Sequence, residues 1–201
     1  MSGADLRIVH LAFDHASVRD LHALLQQDER ASHWWWIEPT STLQGKAFEW
    51  NNALRTDEVP TTLAQADAVV IHRLKGANLD WIQRIPDNVP VVWASWGDDY
   101  YRVLGSLNRS LFLPWTATLN AVLGKMSITV QRMGSAFGGA EKRFVQACQR
   151  VDAVSTLMEE NAPFFGVFSE PKPHTYRSFY NPTPPESVSY THLRAHETAT
   201  Y

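Results

Sequence analysis

Short apolar runs that are nearly unbroken are the feature that most limits how this chain can fold. We interpret them as six strands, at residues 6–13, 33–38, 66–72, 89–95, 151–156 and 174–180. Stretches with apolar residues at helical spacing, such as "SVRDLHALLQQ" and "AEKRFVQACQR", lie between several of them. Continuously apolar strands are covered on both faces, and strands that alternate with helices pair in parallel. The sequence therefore predicts an α/β fold with a doubly wound, mostly parallel sheet.

Charge and cysteine content narrow the class of protein. The 201 residues carry a net charge of −3, which does not point to nucleic acid as a partner. Cys148 is the single cysteine, so no internal disulfide forms, as expected for a reducing cytoplasm. The N-terminus lacks the apolar region of a signal peptide, and no run approaches the roughly 18 apolar residues of a membrane span. No Cys, His and carboxylate spacing suggests a metal site.

The last residues differ from the rest of the chain. "VSYTHLRAHET", residues 188–198, has no apolar period and resembles the translation of a transposase-derived sequencing adapter. We expect read-through of that kind rather than a natural polar tail, and a natural product that continues past Ser187. His192 and His196, although spaced like a metal pair on a helix, are assigned no function. The expected organisation is a Rossmann-like domain over residues 1–180, the start of an interdomain linker over 181–187 and the adapter-derived tail over 188–201.

Polar side chains follow several predicted strands at the points where those strands end. Asp14 and His15 follow the first strand, His72 ends the third, and Asp98 and Asp99 follow the fourth. Because ligands of doubly wound sheets bind at the carboxyl ends of the strands, we expect these residues to line a cleft. The plainer alternatives are turns with helix-capping residues and, for the histidine, a structural role in the core.

The stretch "WASWGDDYY", residues 93–101, carries two of these carboxylates. Gly97 lets the chain turn sharply out of the fourth strand. Adjacent side chains point in different directions, so one of Asp98 and Asp99 is expected to cap the next helix while the other faces the cleft. There a carboxylate would serve a sugar hydroxyl as partner or base. Ser17 is the expected N-cap of the first helix, and the absence of G-x-G-x-x-G before it argues against a nicotinamide dehydrogenase.

A long segment after this motif is basic and apolar. Residues 100–140 contain no Asp or Glu, while Arg102, Arg109, Lys125 and Arg132 give them a local charge of +4. The apolar, aromatic stretch "LFLPWTATLNAVL" lies between these cations. Such a segment suits a surface that meets anionic lipid headgroups or a lipid pyrophosphate, and the alternative is an ordinary buried amphipathic helix.

A family resemblance follows from these residues. Four of them occupy the fixed positions of a "W-G-x-D-L-Y" motif: Trp96, Gly97, Asp99 and Tyr101. "VVIHRLKG", "EKRFVQACQRVDAVSTLMEENAPFF" and "FYNPTP" accompany it in order, so that residues 66–183 resemble the TDP-N-acetylfucosamine:lipid II N-acetylfucosaminyltransferases. These bacterial enzymes of enterobacterial common antigen synthesis form a 4-alpha-L-fucosyltransferase-like family, glycosyltransferase family 56. Tyr100 stands where the motif has Leu.

The resemblance implies the N-terminal half of a two-domain GT-B glycosyltransferase that uses no metal or other cofactor. This half would hold a polyprenyl-pyrophosphate-linked acceptor at the cytoplasmic face of the inner membrane. The missing half would hold the TDP-sugar donor, so the chain by itself is expected to be inactive. The alternative is a complete flavodoxin-like binding or regulatory domain without catalysis.

Site residues follow from the same resemblance together with the strand-end pattern. Asp99 and His72 are the catalytic candidates, in contact with the acceptor or the sugar, and one of them would act as a base. The substrate-binding candidates are Trp96, Gly97, Asp98, Tyr101, Asp14 and His15, and the candidates for lipid or pyrophosphate contact are Arg102, Arg109, Lys125 and Arg132.

Overall fold

The structure, a computed structural model, describes residues 6–39, 49–96, 99–100, 139–156 and 172–175. Six strands form one sheet: β1 (Leu6–Ala12), β2 (Ala31–Ile37), β3 (Ala68–His72), β4 (Val91–Ala94), β5 (Ala153–Ser155) and β6 (His174–Thr175). They lie in the order β2-β1-β3-β4-β5-β6, and every neighbouring pair is parallel. The parallel α/β sheet expected from the sequence is confirmed.

Helices cover both faces of this sheet. They are α1 (Ala16–Leu25), α2 (Val59–Leu63), α3 (Asn78–Trp81), which continues as a 3-10 turn (Ile82–Arg84), and α4 (Ala140–Arg150). Val18 and Leu21 of α1 pack in a cluster with Trp35 on one face, which we call the α1 face. The other helices pack on the opposite face, which we call the α2–α4 face, so the sheet is doubly wound.

The α2–α4 face carries the larger apolar core. Val69, Ile71 and Trp93 belong to it, and all three side chains are almost completely buried. Because neighbours in a parallel register point to the same side, Ile71 and Trp93, which are paired, share this face. Burial of each aliphatic side chain of this kind contributes roughly 1.5–3 kcal/mol to folding. No helix within the described ranges is long and apolar enough to cross a membrane.

The observed bounds differ from the predicted ones at several elements. β2 begins two residues before the predicted 33–38 and ends one residue before it, and β4 and β5 are shorter than predicted. α2 lies in a polar stretch that has no clear period, and it was not predicted. The sequence also predicts a short helix around residues 78–84, and in the structure this helix changes to a 3-10 turn after Trp81. A mostly helical region from 99 to about 123 and a short helix in "MEENAPFF" are expected from the sequence as well. Apart from residues 99–100 they lie outside the described residues, as does most of the predicted sixth strand.

The first helix is capped by a different residue from the one predicted. His15 holds the N-cap position in extended backbone, and its side chain accepts a hydrogen bond from the Ser17 N–H. Ser17 is therefore inside the helix, and its prediction as N-cap was wrong. An imidazole nitrogen is an acceptor like the hydroxyl oxygen of a common cap, so it satisfies one of the open N–H groups of the first turn. Phe144 and Cys148 of α4 are buried, and the half-buried Val145 packs against the same cluster.

Candidate functional site

The connections between strands reverse their direction at β1, because β2 lies on one side of β1 and β3 lies on the other. In a doubly wound sheet the carboxyl ends of the strands at such a point form a crevice. Four side chains meet there, and we call them the carboxyl-end crevice: Phe13, His15, Arg73 and Trp96. Phe13 and His15 follow β1, while Arg73 and Trp96 follow β3 and β4.

The aromatic rings of the crevice pack edge to face. The ring centres of Phe13 and Trp96 are 5.0 Å apart at 76°, and those of His15 and Trp96 are 4.8 Å apart at 73°. The Arg73 guanidinium carbon lies 4.9 Å from the centre of the Phe13 ring, a cation–π geometry. His15 and Trp96, two of the predicted substrate-binding residues, are thus in contact and only half-buried. The crevice combines aromatic surface with a permanent positive charge.

The capping contact decides what His15 presents to a ligand. His15 Nδ1 accepts the Ser17 N–H at 3.2 Å, so in the neutral ring the proton sits on Nε2. The free side of the imidazole is therefore a hydrogen-bond donor. It suits an oxygen of a sugar or phosphate, and it does not suit the role of a base.

Arg73 has an unusual backbone conformation for a residue of the crevice. Its φ is +76°, in the left-handed region that L residues avoid. Its N–H donates to the Ala94 carbonyl at 3.1 Å, and its own carbonyl accepts from the Asn78 side-chain amide at 2.9 Å. These bonds hold a conformation that costs roughly 1–3 kcal/mol, and strain of this kind clusters at ligand sites. Neither Arg73 nor Phe13 was among the predicted site residues, although the strand-end pattern that marked His72 and Asp14 lay one residue from each.

Asp14 is buried beside the crevice and forms a bidentate ion pair. Its two carboxylate oxygens lie 2.6 and 2.7 Å from Nε and an Nη of Arg19. This hydrogen bonding raises the pKa of Arg19 above its ordinary value. The pair ties the end of β1 to the first turn of α1, a structural role of the capping kind that was the alternative in the sequence analysis.

Asp99 is buried beneath Trp96. Its carboxylate accepts hydrogen bonds from the Trp93 indole at 2.8 Å, from the Leu74 N–H at 3.0 Å and from the Trp96 N–H at 3.3 Å. Two of these donors are backbone groups just past the ends of β3 and β4. Asp99 therefore fixes the chain that carries Trp96. Burial, and secondarily the charge of Asp99, raise the pKa of the Cys148 thiol.

His72 lies within a chain of buried imidazoles. Its Nε2 is 2.9 Å from His10 Nδ1, and His10 Nε2 is 2.9 Å from His33 Nδ1. Trp35 stacks on His10 with ring centres 4.0 Å apart. We call His72, His10 and His33 the imidazole chain. His33 Nε2 points to an Asp28 oxygen at 3.6 Å, which favours a proton on Nε2 of each ring in turn.

Burial keeps two members of this chain, His10 and His72, neutral. It lowers the pKa of His72 to about 3. It also lowers the pKa of His10, with smaller contributions from His72 and His33. His10 and His33 were not predicted as site residues. The sequence does not show which residue of a neighbouring strand will lie beside a histidine inside an apolar strand.

The two catalytic candidates are not brought together. His72 pairs in register with Ala94, so both point to the α1 face, and Trp93 points to the α2–α4 face. The Asp99 carboxylate bonds to the Trp93 indole and so lies towards that second face. An offset of one residue between two strand ends reverses the face, and the sequence did not reveal this offset.

The remaining predicted residues lie outside the described part of the chain: Gly97, Asp98, Tyr101, Arg102, Arg109, Lys125 and Arg132. Within the described ranges, no group of three or more His, Cys, Asp or Glu side chains is arranged to hold a metal ion. The chain matches no protein-family model and no curated protein. The resemblance to the N-acetylfucosaminyltransferases thus stays a prediction from the residues themselves.

Proposed function

We propose that this chain is the acceptor-side half of a glycosyltransferase that moves an N-acetylfucosamine-type sugar from a TDP-sugar to a polyprenyl-pyrophosphate-linked saccharide. In that reaction the acceptor hydroxyl loses its proton and bonds to the anomeric carbon. The bond from that carbon to the nucleotide's phosphate oxygen breaks, and TDP leaves. The carboxyl-end crevice is the observation that carries the proposal.

Each group of the crevice suits one part of such an acceptor. The half-buried ring of Trp96, supported from behind by the buried Phe13, offers an apolar wall for the carbon face of a sugar. The guanidinium of Arg73 matches a phosphate, since its planar fork donates two parallel hydrogen bonds. The Nε2–H of His15 donates to a sugar or phosphate oxygen. The basic segment 100–140 would extend this cation towards the lipid headgroups, at the cytoplasmic face of the inner membrane.

The contacts of Asp99 support a positioning role. A carboxylate that already accepts three N–H groups orients Trp96, and removal of its charge would loosen that residue. His72 is completely buried, and it would act on the site through the packing of β3.

A transfer assay on the product of the uninterrupted reading frame tests the proposal. Radiolabelled TDP-sugar and a polyprenyl-pyrophosphate-linked saccharide are the substrates. Arg73→Gln should raise the KM for the lipid-linked acceptor about tenfold, the effect of one lost charge-assisted hydrogen bond. Arg84→Gln is the matched control, because its guanidinium carbon is also 4.9 Å from a ring, that of Trp81 on the α2–α4 face. Absence of transfer by the wild type, or equal effects of the two variants, would overturn the proposal.

A non-catalytic, flavodoxin-like binding or regulatory domain is the second candidate. The order of the first five strands, β2-β1-β3-β4-β5, favours it because flavodoxins and receiver domains share that order. A receiver domain needs an acidic cluster after β1, whereas Asp14 is neutralised by Arg19. Sedimentation with anionic vesicles separates the candidates, since the transferase half should bind them through residues 100–140.

A further inference from the structure

A second concave site lies at the opposite end of the sheet from the crevice. It has a volume of about 540 Å³ and lies between the C-terminal end of α1, the first half of β2 and the turn at Asn51 and Asn52. We call it the amino-end pocket. Ligand pockets in proteins have volumes of about 300–1,000 Å³, so a molecule of one or two sugar rings fits.

The pocket lining is rich in planar polar groups. They are Gln26, Asp28, Asn51 and Asn52, with the imidazoles of His22 and His33. Among the described residues that line the pocket, none is Lys or Arg. Side-chain amides both donate and accept hydrogen bonds, which is what the hydroxyl groups of a neutral polyol require, whereas both imidazoles already have partners within the protein. Among the described lining residues, a phosphate would find no cation.

Asp28, the one carboxylate among the described residues that line the pocket, is already compensated. Asp28 forms hydrogen bonds with the Arg30 side chain at 2.9 Å and with its N–H at 3.0 Å. These bonds lower the pKa of Asp28 to about 2. The carboxylate therefore stays an acceptor at neutral pH without giving the pocket an uncompensated negative charge.

Internal hydrogen bonds hold the polar groups in place before a ligand arrives. The Asn51 N–H donates to His22 Nε2 at 3.0 Å, and the Asn52 side-chain amide donates to the His33 carbonyl at 3.2 Å. The Trp35 N–H donates to the Asn52 carbonyl at 3.0 Å. Asn52 has a φ of +54°, which asparagine tolerates better than most residues. Such a pre-organised site loses less entropy on binding.

An aromatic wall completes the pocket. Trp35 lines it, and Trp50 packs on Trp35 with ring centres 5.6 Å apart. Trp35 is almost completely buried and stacks on His10, so only an edge of this cluster borders the pocket, and the side-chain amides would carry the binding of sugar hydroxyl groups.

We propose that the amino-end pocket binds a neutral monosaccharide unit. This inference goes beyond the transfer reaction, because the pocket lies at the opposite end of the sheet from the carboxyl-end crevice. It is a holding site for an uncharged sugar, free or within a larger glycan, and no bond is made or broken there.

Titration of the chain with glucose, galactose and N-acetylglucosamine, followed by ¹H–¹⁵N NMR, tests this inference. We expect saturable shifts at the Asn51 and Asn52 amides and the Trp35 indole, with millimolar affinity. Glucose 1-phosphate should bind no more tightly than glucose, because none of the described residues that line the pocket is a cation. Shifts at Phe13 and Trp96 alone, or no saturable shift with any of the sugars, would overturn the proposal.

Two matched variants sharpen the result. Gln26→Ala removes a group of the pocket and should weaken binding about tenfold, whereas Gln27→Ala, on the exposed neighbouring residue, should leave it unchanged. Equal losses in the two would contradict the assignment. This outcome is independent of the transfer assay, so the pocket and the transferase proposal fail separately.

Discussion

The two faces of the sheet are both buried, but they are built from different chemistry. On the α2–α4 face, Ile71, Trp93 and Val154 stand side by side in register. One position further along the same strands, on the α1 face, stand His72, Ala94 and Ser155. The first face is stabilised by apolar burial, which hardly depends on pH. The second depends on imidazoles that stay neutral and bonded to one another, so acid should affect it selectively.

The largest expected effect on stability comes from a substitution on the α2–α4 face. Trp93→Ala removes a buried ring and one donor to Asp99, and it should lower the free energy of unfolding by about 3–5 kcal/mol. Urea denaturation at pH 7.5 measures this. Leu24→Ala, at a largely exposed position of α1, should change it by less than about 0.5 kcal/mol. A loss of similar size in the control would mean that the two positions do not differ in burial as described.

The pH dependence of the free energy of unfolding tests the α1 face, which carries the imidazole chain. The folded-state pKa values of His10 and His72 are lowered, so the unfolded chain binds more protons below pH 6.5 and stability falls as the pH falls. From pH 7 to pH 5 His72 should cost about 2 kcal/mol, by linkage to an unfolded pKa near 6.5, and His10 should add a cost in the same direction. The His72 contribution continues to decline until about pH 3.

Urea denaturation at several pH values measures how steeply the free energy of unfolding falls as the pH falls. His72→Leu should be less sensitive to acid than the wild type by about 1.4 kcal/mol per pH unit between pH 5 and 6. If the slope is the same in the variant, His72 does not titrate in the manner of a buried neutral base.

The Asp99→Asn variant tests the link between the α2–α4 face and the carboxyl-end crevice, because Asp99 bonds to both Trp93 and Trp96. It replaces an acceptor of three N–H groups by an amide whose own N–H group must face one of these donors. We expect a loss of about 1–3 kcal/mol in stability and a changed environment for Trp96. The transfer assay on the full reading frame should show lower turnover, and unchanged turnover would remove Asp99 from the mechanism.

The smallest expected effect has the opposite sign. Arg73→Gly relieves the left-handed backbone at φ +76° and should stabilise the fold by about 0.5–1 kcal/mol. The same change removes the guanidinium beside Phe13 and should weaken acceptor binding. A thermal shift assay measures the first effect, and a decrease in Tm would show that the Arg73 side chain contributes more packing than the backbone costs.

The sequence predicted the features that depend on local pattern. Apolar runs located the strands, the strand-end rule placed His15, and the "W-G-x-D-L-Y" motif placed Trp96, which does meet His15. The strand-end rule did not place His72 and Asp99 on their correct faces, because that depends on the register between strands far apart in the chain. The amino-end pocket was missed for a related reason, since Asn51 and Asn52 lie in a stretch without any period.

Residues 52–54, which include the second of these asparagines, also cover part of the edge of the sheet. β2 is one of the two edge strands of the described sheet, and it carries three adjacent tryptophans. Trp35 donates its N–H to Asn52 and accepts the Leu54 N–H at 2.7 Å, so a short stretch of the same chain occupies its outer side. An exposed apolar edge strand is a template for pairing with the edge of another molecule, which starts aggregation. Because residues 52–54 already use the backbone groups of Trp35, this part of the edge is closed to such pairing.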